Sequence, residues 1–259
     1  MGNYLTGPHF SGPGGTMDDH AKLRGKYCSD ITPEDFGSKA TVAGWLQDVR
    51  NLGGIAFLQL RDRTGVLQVT AIKKELGPDR FKELVELPRE SVLSVRGPVQ
   101  ENNQAKAGFE VLPETWEVLS MAEVPLPLGV VDKVGADLDT RLDNRFMDLR
   151  KPEVSAIFHL RSILLEGIRK SLIDQGFVEV STPKIVSAGA EGGATLFKLD
   201  YFGKPAFLAQ SPQLYKQHLM ATGLDRVFEV APAFRAEPSD TIRHLAEFTS
   251  LDVEQAFVS

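Results

Sequence analysis

Residues 39–71 read KATVAGWLQDVRNLGGIAFLQLRDRTGVLQVTA. They hold three strand-forming runs separated by two turn signals. The run 39–50 is rich in β-branched and aromatic residues, and NLGG at 51–54 turns the chain. Residues 55–62 alternate, Thr64-Gly65 turns again, and 66–71 alternate once more. Working downstream, Gly77-Pro78 opens a short helix carrying Phe81, Leu84 and Val85. Residues 91–99 and 109–119 then read as two further strands. Three strands, a helix and two strands is the order of a small five-stranded barrel.

Barrels of that order include the OB type, which binds oligonucleotides, and the pattern places such a domain at 36–120. Strand geometry sends alternate residues to opposite faces. Ala56, Leu58 and Leu60 share one face, so Phe57 lies on the other beside Gln59 and Arg61. On the next strand Gln68 and Thr70 oppose Leu67 and Val69. An aromatic ring among amide and guanidinium groups on an open sheet is how unpaired bases are held. The bland reading is a ring packed under a loop.

The 259 residues suffice for two modest domains. Lys+Arg is 29 and Asp+Glu is 35, so the net charge is 29 − 35 = −6. That argues against coating nucleic acid by bulk charge and leaves room for a local cationic groove. One cysteine, Cys28, excludes an internal disulfide and a Cys-rich zinc site. No apolar run approaches the ~20 residues of a membrane span, and the first residues lack an apolar leader or an Arg-rich transit pattern. We therefore expect a cytoplasmic protein with no membrane partner. Residues 1–35 read as a flexible extension, and 121–150, rich in Pro, Asp and Arg, as a hinge or linker. Val154, Ile157, Leu160, Leu164, Ile168 and Leu172 recur at helical spacing, predicting an amphipathic helix over 153–174 with Gly176 just past its end. A strand ending at Pro183, a helix over 211–223 and two strands, 227–235 and 247–258, complete the reading.

The stretch 227–257 reads VFEVAPAFRAEPSDTIRHLAEFTSLDVEQAF. Phe234-Arg235-Ala236-Glu237, a short loop and His244-x-x-x-Phe248 resemble motif 2 of the class II aminoacyl-tRNA synthetases. IDQGFVEVSTP, ending at Pro183, is similar to their motif 1. NRFMDLR at 144–150, LAQSPQLYKQ at 208–217 and EGGA at 191–194 resemble the aspartyl-tRNA synthetases of the archaeal and eukaryotic type. So does the barrel segment, as their anticodon-binding domain. The resemblance covers residues 35–259 in order. It implies an α+β architecture: a five-stranded OB-type barrel, then, over 151–259, the first half of the antiparallel class II sheet with flanking helices.

The implied chemistry is ATP-dependent activation of L-aspartate and its transfer to tRNA. Two anions must approach each other, so a cation has to bridge them. Arg235 is the candidate, because a guanidinium fork can hold an α-phosphate oxygen and a carboxylate together. Glu237 accepts from the adenine amino group, Phe248 offers its ring to adenine, and Arg243 or His244 reaches the outer phosphates. Gln213 and Lys216 share a helix face. With Asp252 for the substrate ammonium and Glu191 in the loop above, they make a site for a dicarboxylic amino acid. A Lys216 left unpaired by asparagine argues for aspartate. On the barrel the resemblance implies anticodon contacts from Arg50, Phe57, Gln68 and Glu110, with Phe57 exposed and Glu110 accepting from an exocyclic amine. The helix and strand of 153–183 resemble the dimer-forming element, so a homodimer is expected.

No glycine-rich, arginine-containing third motif follows Phe257 within these residues. The resemblance places that motif, the Mg²⁺ ligands and the arginine for the substrate side chain beyond Ser259, with no metal ligand within the chain. Two other readings stand beside the aspartate enzyme: a non-catalytic RNA-binding or regulatory paralogue, and an asparaginyl-tRNA synthetase. The sequence beyond Ser259 discriminates between the first of these and the enzyme.

Overall fold

Alternation in the opening stretch dictates a barrel wall with one apolar face. The computed structural model, which describes residues 23–131, 135–189, 196–238 and 244–258, has that wall. Strands β1 (Lys39–Asn51), β2 (Ile55–Arg61) and β3 (Val66–Ile72) pair antiparallel in sequence. Helices α1 (Lys73–Leu76) and α2 (Pro78–Val85) lead into β4 (Val92–Glu101) and β5 (Phe109–Val111). β5 pairs parallel with β3 and antiparallel with β4, and β4 returns antiparallel to β1, closing five strands into a barrel. The alternate residues Ala56, Leu58, Leu60, Leu67, Val69 and Ala71 fill its core, and α2 adds Phe81 and Leu84. Each such large apolar side chain contributes about 1.5–3 kcal/mol on burial.

The strand expected over 109–119 is two strands. β5 stops at Val111 and β6 (Thr115–Ser120) resumes against β4. Pro113 sits between them and has no N–H to give to a ladder. Leu112 and Glu114 on either side still donate to Pro98 and Arg96 carbonyls, at 3.0 and 2.9 Å. Gly97 permits the close passage: a Cβ there would lie 1.6 Å from the Leu112 carbonyl oxygen.

Three other expectations are corrected. Arg61 does not share the open face with Phe57. It is buried and bonds both oxygens of Glu90, at 3.1 and 2.7 Å. Residues 23–35 of the expected flexible extension are folded: Gly25 and Lys26 donate to the Thr41 carbonyl, and Cys28 and Ile31 join the barrel core. Residues 1–22 lie outside the described residues. The expected hinge at 121–150 packs as well. It forms α3 (Leu138–Asp143) and α4 (Arg145–Asp148), with Leu128, Val130 and Met147 buried together. Asp148, fully buried by its neighbours, accepts from Arg141 at 2.9 Å and pairs with Arg145 and Lys151. These cations, Arg141's hydrogen bond first, hold its carboxyl below the usual range. Arg150 donates to Glu90 at 2.9 Å and lies over the Trp45 ring, which ties the segment to the barrel.

The chain divides into two compact units between Pro152 and Glu153. In the second, α5 (Pro152–Asp174) ends as its sequence predicts. Gly176 takes φ +82°, and the amides of Gly176 and Phe177 bond back to the Ile173 and Leu172 carbonyls, a Schellman closure. Its apolar stripe is buried only at Val154. Ile157, Leu160 and Leu164 are 59–67% exposed, so the amphipathic pattern has no cover among the described residues. β7 (Val178–Glu179) pairs parallel with β11 (Arg226–Phe234), and β12 (Glu247–Gln255) pairs antiparallel with β11 along its whole length. A second antiparallel sheet joins β8 (Ile185–Val186), β10 (Lys204–Leu208) and β9 (Lys198–Tyr201). Between the sheets in sequence lies α6 (Gln213–Met220). Among the described residues no helix is long and apolar enough to cross a membrane.

Candidate nucleic-acid interface and candidate adenylate site

The barrel register assembles one polar surface from all five strands. Cross-strand partners share a face. Asp48 pairs with Gln59, Gln59 with Gln68, Gln68 with Glu110, and Glu110 with Gln100, so five polar residues form a continuous row. A second row runs Arg50, Phe57, Thr70. Asp48, Arg50, Phe57, Gln59, Gln68, Asn102 and Gln104 line a cavity of about 270 Å³ over these rows. Three of the four residues expected at an anticodon site, Arg50, Phe57 and Gln68, meet there.

Two of the expected details are corrected. Phe57 is half-buried rather than exposed, and it lines the cavity together with Asn102 and Gln104. Glu110 is buried, and its oxygens are already engaged. One accepts from Thr70 at 2.5 Å, Asn102 at 2.8 Å and Gln68 at 2.9 Å, and the other from Gln100 at 3.0 Å. Burial opposes ionisation of this carboxyl, but the four donors prevail and hold it below its usual range. Glu110 thus ties together Gln68, Thr70, Gln100 and Asn102. The Gln68 amide nitrogen is spent on Glu110 and on Thr70, at 2.9 and 3.2 Å. Its carbonyl oxygen receives only a long contact from Gln59, at 3.4 Å, and keeps a lone pair for the cavity. Sequence reasoning missed Gln59, Thr70, Gln100 and Asn102 as parts of this network. The hairpin spacing had put Gln59 and Thr70 on this face without showing their hydrogen bonds, whereas Gln100 and Asn102 depend on the closure of β4 onto β5.

In the second unit the β11–β12 ladder does the placing. Phe248, Ser250, Asp252 and Glu254 alternate with the more exposed Leu251 and Val253, so they share one face of β12. Lys216, one turn after Gln213 on α6, reaches Asp252 at 3.4 Å and Glu254 at 3.5 Å, and Ser250 donates to Asp252 at 2.6 Å. Lys216 therefore already has two carboxylate partners, and the argument that asparagine would leave it unpaired does not hold in this geometry. The surplus of one negative charge suits a substrate ammonium. Arg235 continues the ladder beyond β11 through its amide to Ala246, and its guanidinium lies 5.5 Å from the centre of the Phe248 ring. Its Nε is buried without a hydrogen-bond partner. Four residues of strand separate Phe248 from Asp252, a span of about 13 Å.

Glu237 lies past the end of β11, in a tight turn where its amide donates to the Arg235 carbonyl, so strand alternation does not place its carboxylate. His244 is exposed at the return into β12. Glu191 and Arg243 lie outside the described residues. Sequence reasoning also missed Glu254, which the period of two from Asp252 could have flagged, and Gln210. The Gln210 amide is buried at the edge of a cavity of about 230 Å³, with neither its oxygen nor its nitrogen paired, and no sequence signal marks it.

Comparison with known proteins bears on both surfaces. Residues 40–119 match the OB-fold nucleic acid binding domain, and residues 137–259 match the class II tRNA synthetases for D, K and N. The aspartate–tRNA(Asp) ligase of Pyrococcus horikoshii is 54% identical over 236 residues, 91% of this chain and 54% of that protein. The aspartate–tRNA(Asp/Asn) ligase of Methanothermobacter thermautotrophicus is 52% identical over 235 residues, with the same coverage. Among solved structures, asparaginyl-tRNA synthetase of Pyrococcus horikoshii with asparaginyl-adenylate superposes with TM-score 0.84 at 38% identity, covering 90% of this chain and 53% of that one. The chain spans about half the length of the curated relatives it matches. An OB-fold barrel carrying a polar, aromatic-bearing face, followed by the motif 2 strand pair, makes this chain a member of the class II aminoacyl-tRNA synthetases of the aspartate, lysine and asparagine group.

Proposed function

We propose that this chain is the tRNA-reading domain and the first half of the catalytic domain of an aspartate–tRNA ligase, with L-aspartate, ATP and tRNA as substrates. The observation that carries the reading is Arg235: a guanidinium held over the Phe248 ring, with a buried Nε that has no partner. A fixed, underused donor beside an aromatic face is what an adenylate needs. Adenine takes the free face of Phe248 and Arg235 takes the α-phosphate as charge develops there. The amino-acid end falls about 13 Å along the strand, where Asp252 and Glu254 receive the ammonium group and Lys216 and Gln213 line the side-chain end. Glu191, Glu237, Arg243 and His244 remain proposed members of the site on the family resemblance. The choice of aspartate over asparagine rests on the 52–54% identity to aspartate ligases, against 38% to the asparaginyl structure. Class II synthetases of this kind use Mg²⁺ with ATP. Among the described residues no group of three or more His, Cys, Asp or Glu is placed to hold a metal, and we assign no step to one.

On the barrel, Phe57 stacks on the central anticodon base, Gln68 offers its carbonyl oxygen to that base, and Arg50 meets phosphate. An acceptor selects bases that present a ring N–H. Uridine does so at N3, whereas cytidine presents an acceptor there. The exposed stripe of α5 and the strand after it are the proposed homodimer surface over 153–183, in a cytoplasmic enzyme.

The test is aspartate-dependent pyrophosphate exchange by the full-length protein, wild type and Arg235→Ala. A loss of about 10²–10³ in rate with tRNA binding retained supports the assignment. Near-normal exchange in the variant, or exchange that depends on asparagine, overturns it. A full-length protein that binds tRNA without any exchange is the non-catalytic paralogue instead.

A further inference from the structure

The hairpin of β9 and β10 turns on two residues, Phe202 and Gly203, at φ +51° and +75°. The flanking pair is Tyr201 and Lys204, and the Gly203 amide is capped by the Asp200 carboxylate at 2.8 Å. Two positive φ values make the mirror-image turn that suits strand twist, and Asn-Gly or Gly-Gly normally supplies it. A bulky aromatic at the first of those positions is backbone strain. Packing does not compensate it. Phe202 is 92% exposed, and among the described residues its ring pairs with one other ring, the edge of Tyr201, with centroids 5.0 Å apart and planes at 82°. Tyr201 is itself more than half exposed. Lys204 lies on the same face as Tyr201, and Lys198 sits further down the hairpin on the other face. Both lysines are exposed and have no ion-pair partner among the described residues. A strained ring that does nothing for its own fold, braced by a second ring and flanked by free ammonium groups, has the chemistry of a stacking platform for an unpaired base with its phosphate alongside.

We propose that this hairpin tip is a second RNA contact, distinct from the anticodon surface. Phe202 stacks on an unpaired base of the tRNA, Tyr201 braces the ring, and Lys204 meets the neighbouring phosphate. The inference rests on the proposed tRNA binding, and the occupant is chosen on charge: Lys204 at the tip and Lys198 further along the hairpin, in a chain whose net charge is −6, complement a polyanion.

Phe202→Asn tests it, because asparagine suits the turn better than phenylalanine does. The full chain is titrated with a whole tRNA transcript carrying a central anticodon uridine, and with the anticodon stem–loop alone. Expected are a roughly tenfold loss of affinity for the transcript, an unchanged stem–loop affinity and a urea midpoint that is unchanged or higher. Lys204→Gln should lower the salt dependence of transcript binding by about one phosphate contact. Unchanged transcript affinity overturns the proposal, as does a lower midpoint, which would make the ring structural. A variant that loses only self-association in light scattering shows a contact between copies and overturns it too. Equal wild-type affinity for transcript and stem–loop defeats this inference alone, and no binding to either defeats the proposed function with it.

Discussion

Glu110→Ala separates a base contact from a positioning group. In the wild type, four donors converge on one buried carboxylate. Hydrogen bonds to a charged group are worth about 1.5–3 kcal/mol each, and those between neutral groups about 0.5–1.5. Truncation removes four such bonds, but Gln68, Gln100 and Asn102 are half-buried or exposed and can turn to water, and desolvation of the carboxylate is relieved. The remaining cost is mainly the buried Thr70 hydroxyl and the lost charge assistance, about 2–3 kcal/mol of unfolding free energy in urea titration. The more diagnostic effect is on recognition. With Glu110 gone the Gln68 amide is free to rotate and offer either end. The wild type should bind a stem–loop with central uridine about 10- to 100-fold more tightly than one with cytidine, the cost of setting two acceptors against each other. In the variant that ratio should fall to within about threefold. The wild type also carries a pH signature. The four donors hold its carboxyl in the folded chain below the ordinary value of 4.5, so the stabilisation is complete above that pH and is lost as pH falls through the lower, folded value. The variant should show a shallower acid-side slope, the remainder coming from carboxylates such as Asp148 that are also held below their usual range. A variant that keeps the full uridine preference would refute the idea that Glu110 orients Gln68.

Phe57→Ala should weaken binding of the uridine stem–loop by about 1–3 kcal/mol. Because the ring is half-buried, it should also lower the urea midpoint, which wild-type-like unfolding would contradict. Lys216→Met leaves Asp252 and Glu254 without their cation, so the KM for aspartate should rise at least about tenfold while that for ATP moves far less. Equal rises would make Lys216 structural. The Cys28 thiol is pushed up to about 12 by burial in the barrel and then by the Asp62 charge, so it should resist alkylation at pH 8 in the folded chain and react only on unfolding. Rapid native modification would show that residues 23–35 come away from the barrel.

What the residues determine on their own is local. A period of two in 55–71 puts Phe57 and Gln68 opposite the core whatever closes the barrel, and Gly176 ends α5 because it tolerates the left-handed conformation there. The strand, turn and helix signals between 39 and 99 are of this kind, as is the order of the synthetase motifs. Only the tertiary structure decides which polar groups meet. Glu110 and Gln68 are 42 residues apart, so the capture of the carboxylate depends on the parallel β3–β5 pairing, which no neighbour along the chain encodes. Arg61 alternates as a surface residue yet is buried, because Glu90, 29 residues away, supplies a matched carboxylate that makes burial tolerable. Lys216 reads as a lone pocket cation until β12 brings Asp252 and Glu254 beside it. Periodicity reports which face a side chain takes, because that is a property of the local backbone. Partnership between charges is set by chain closure over tens of residues, and so it belongs to the fold.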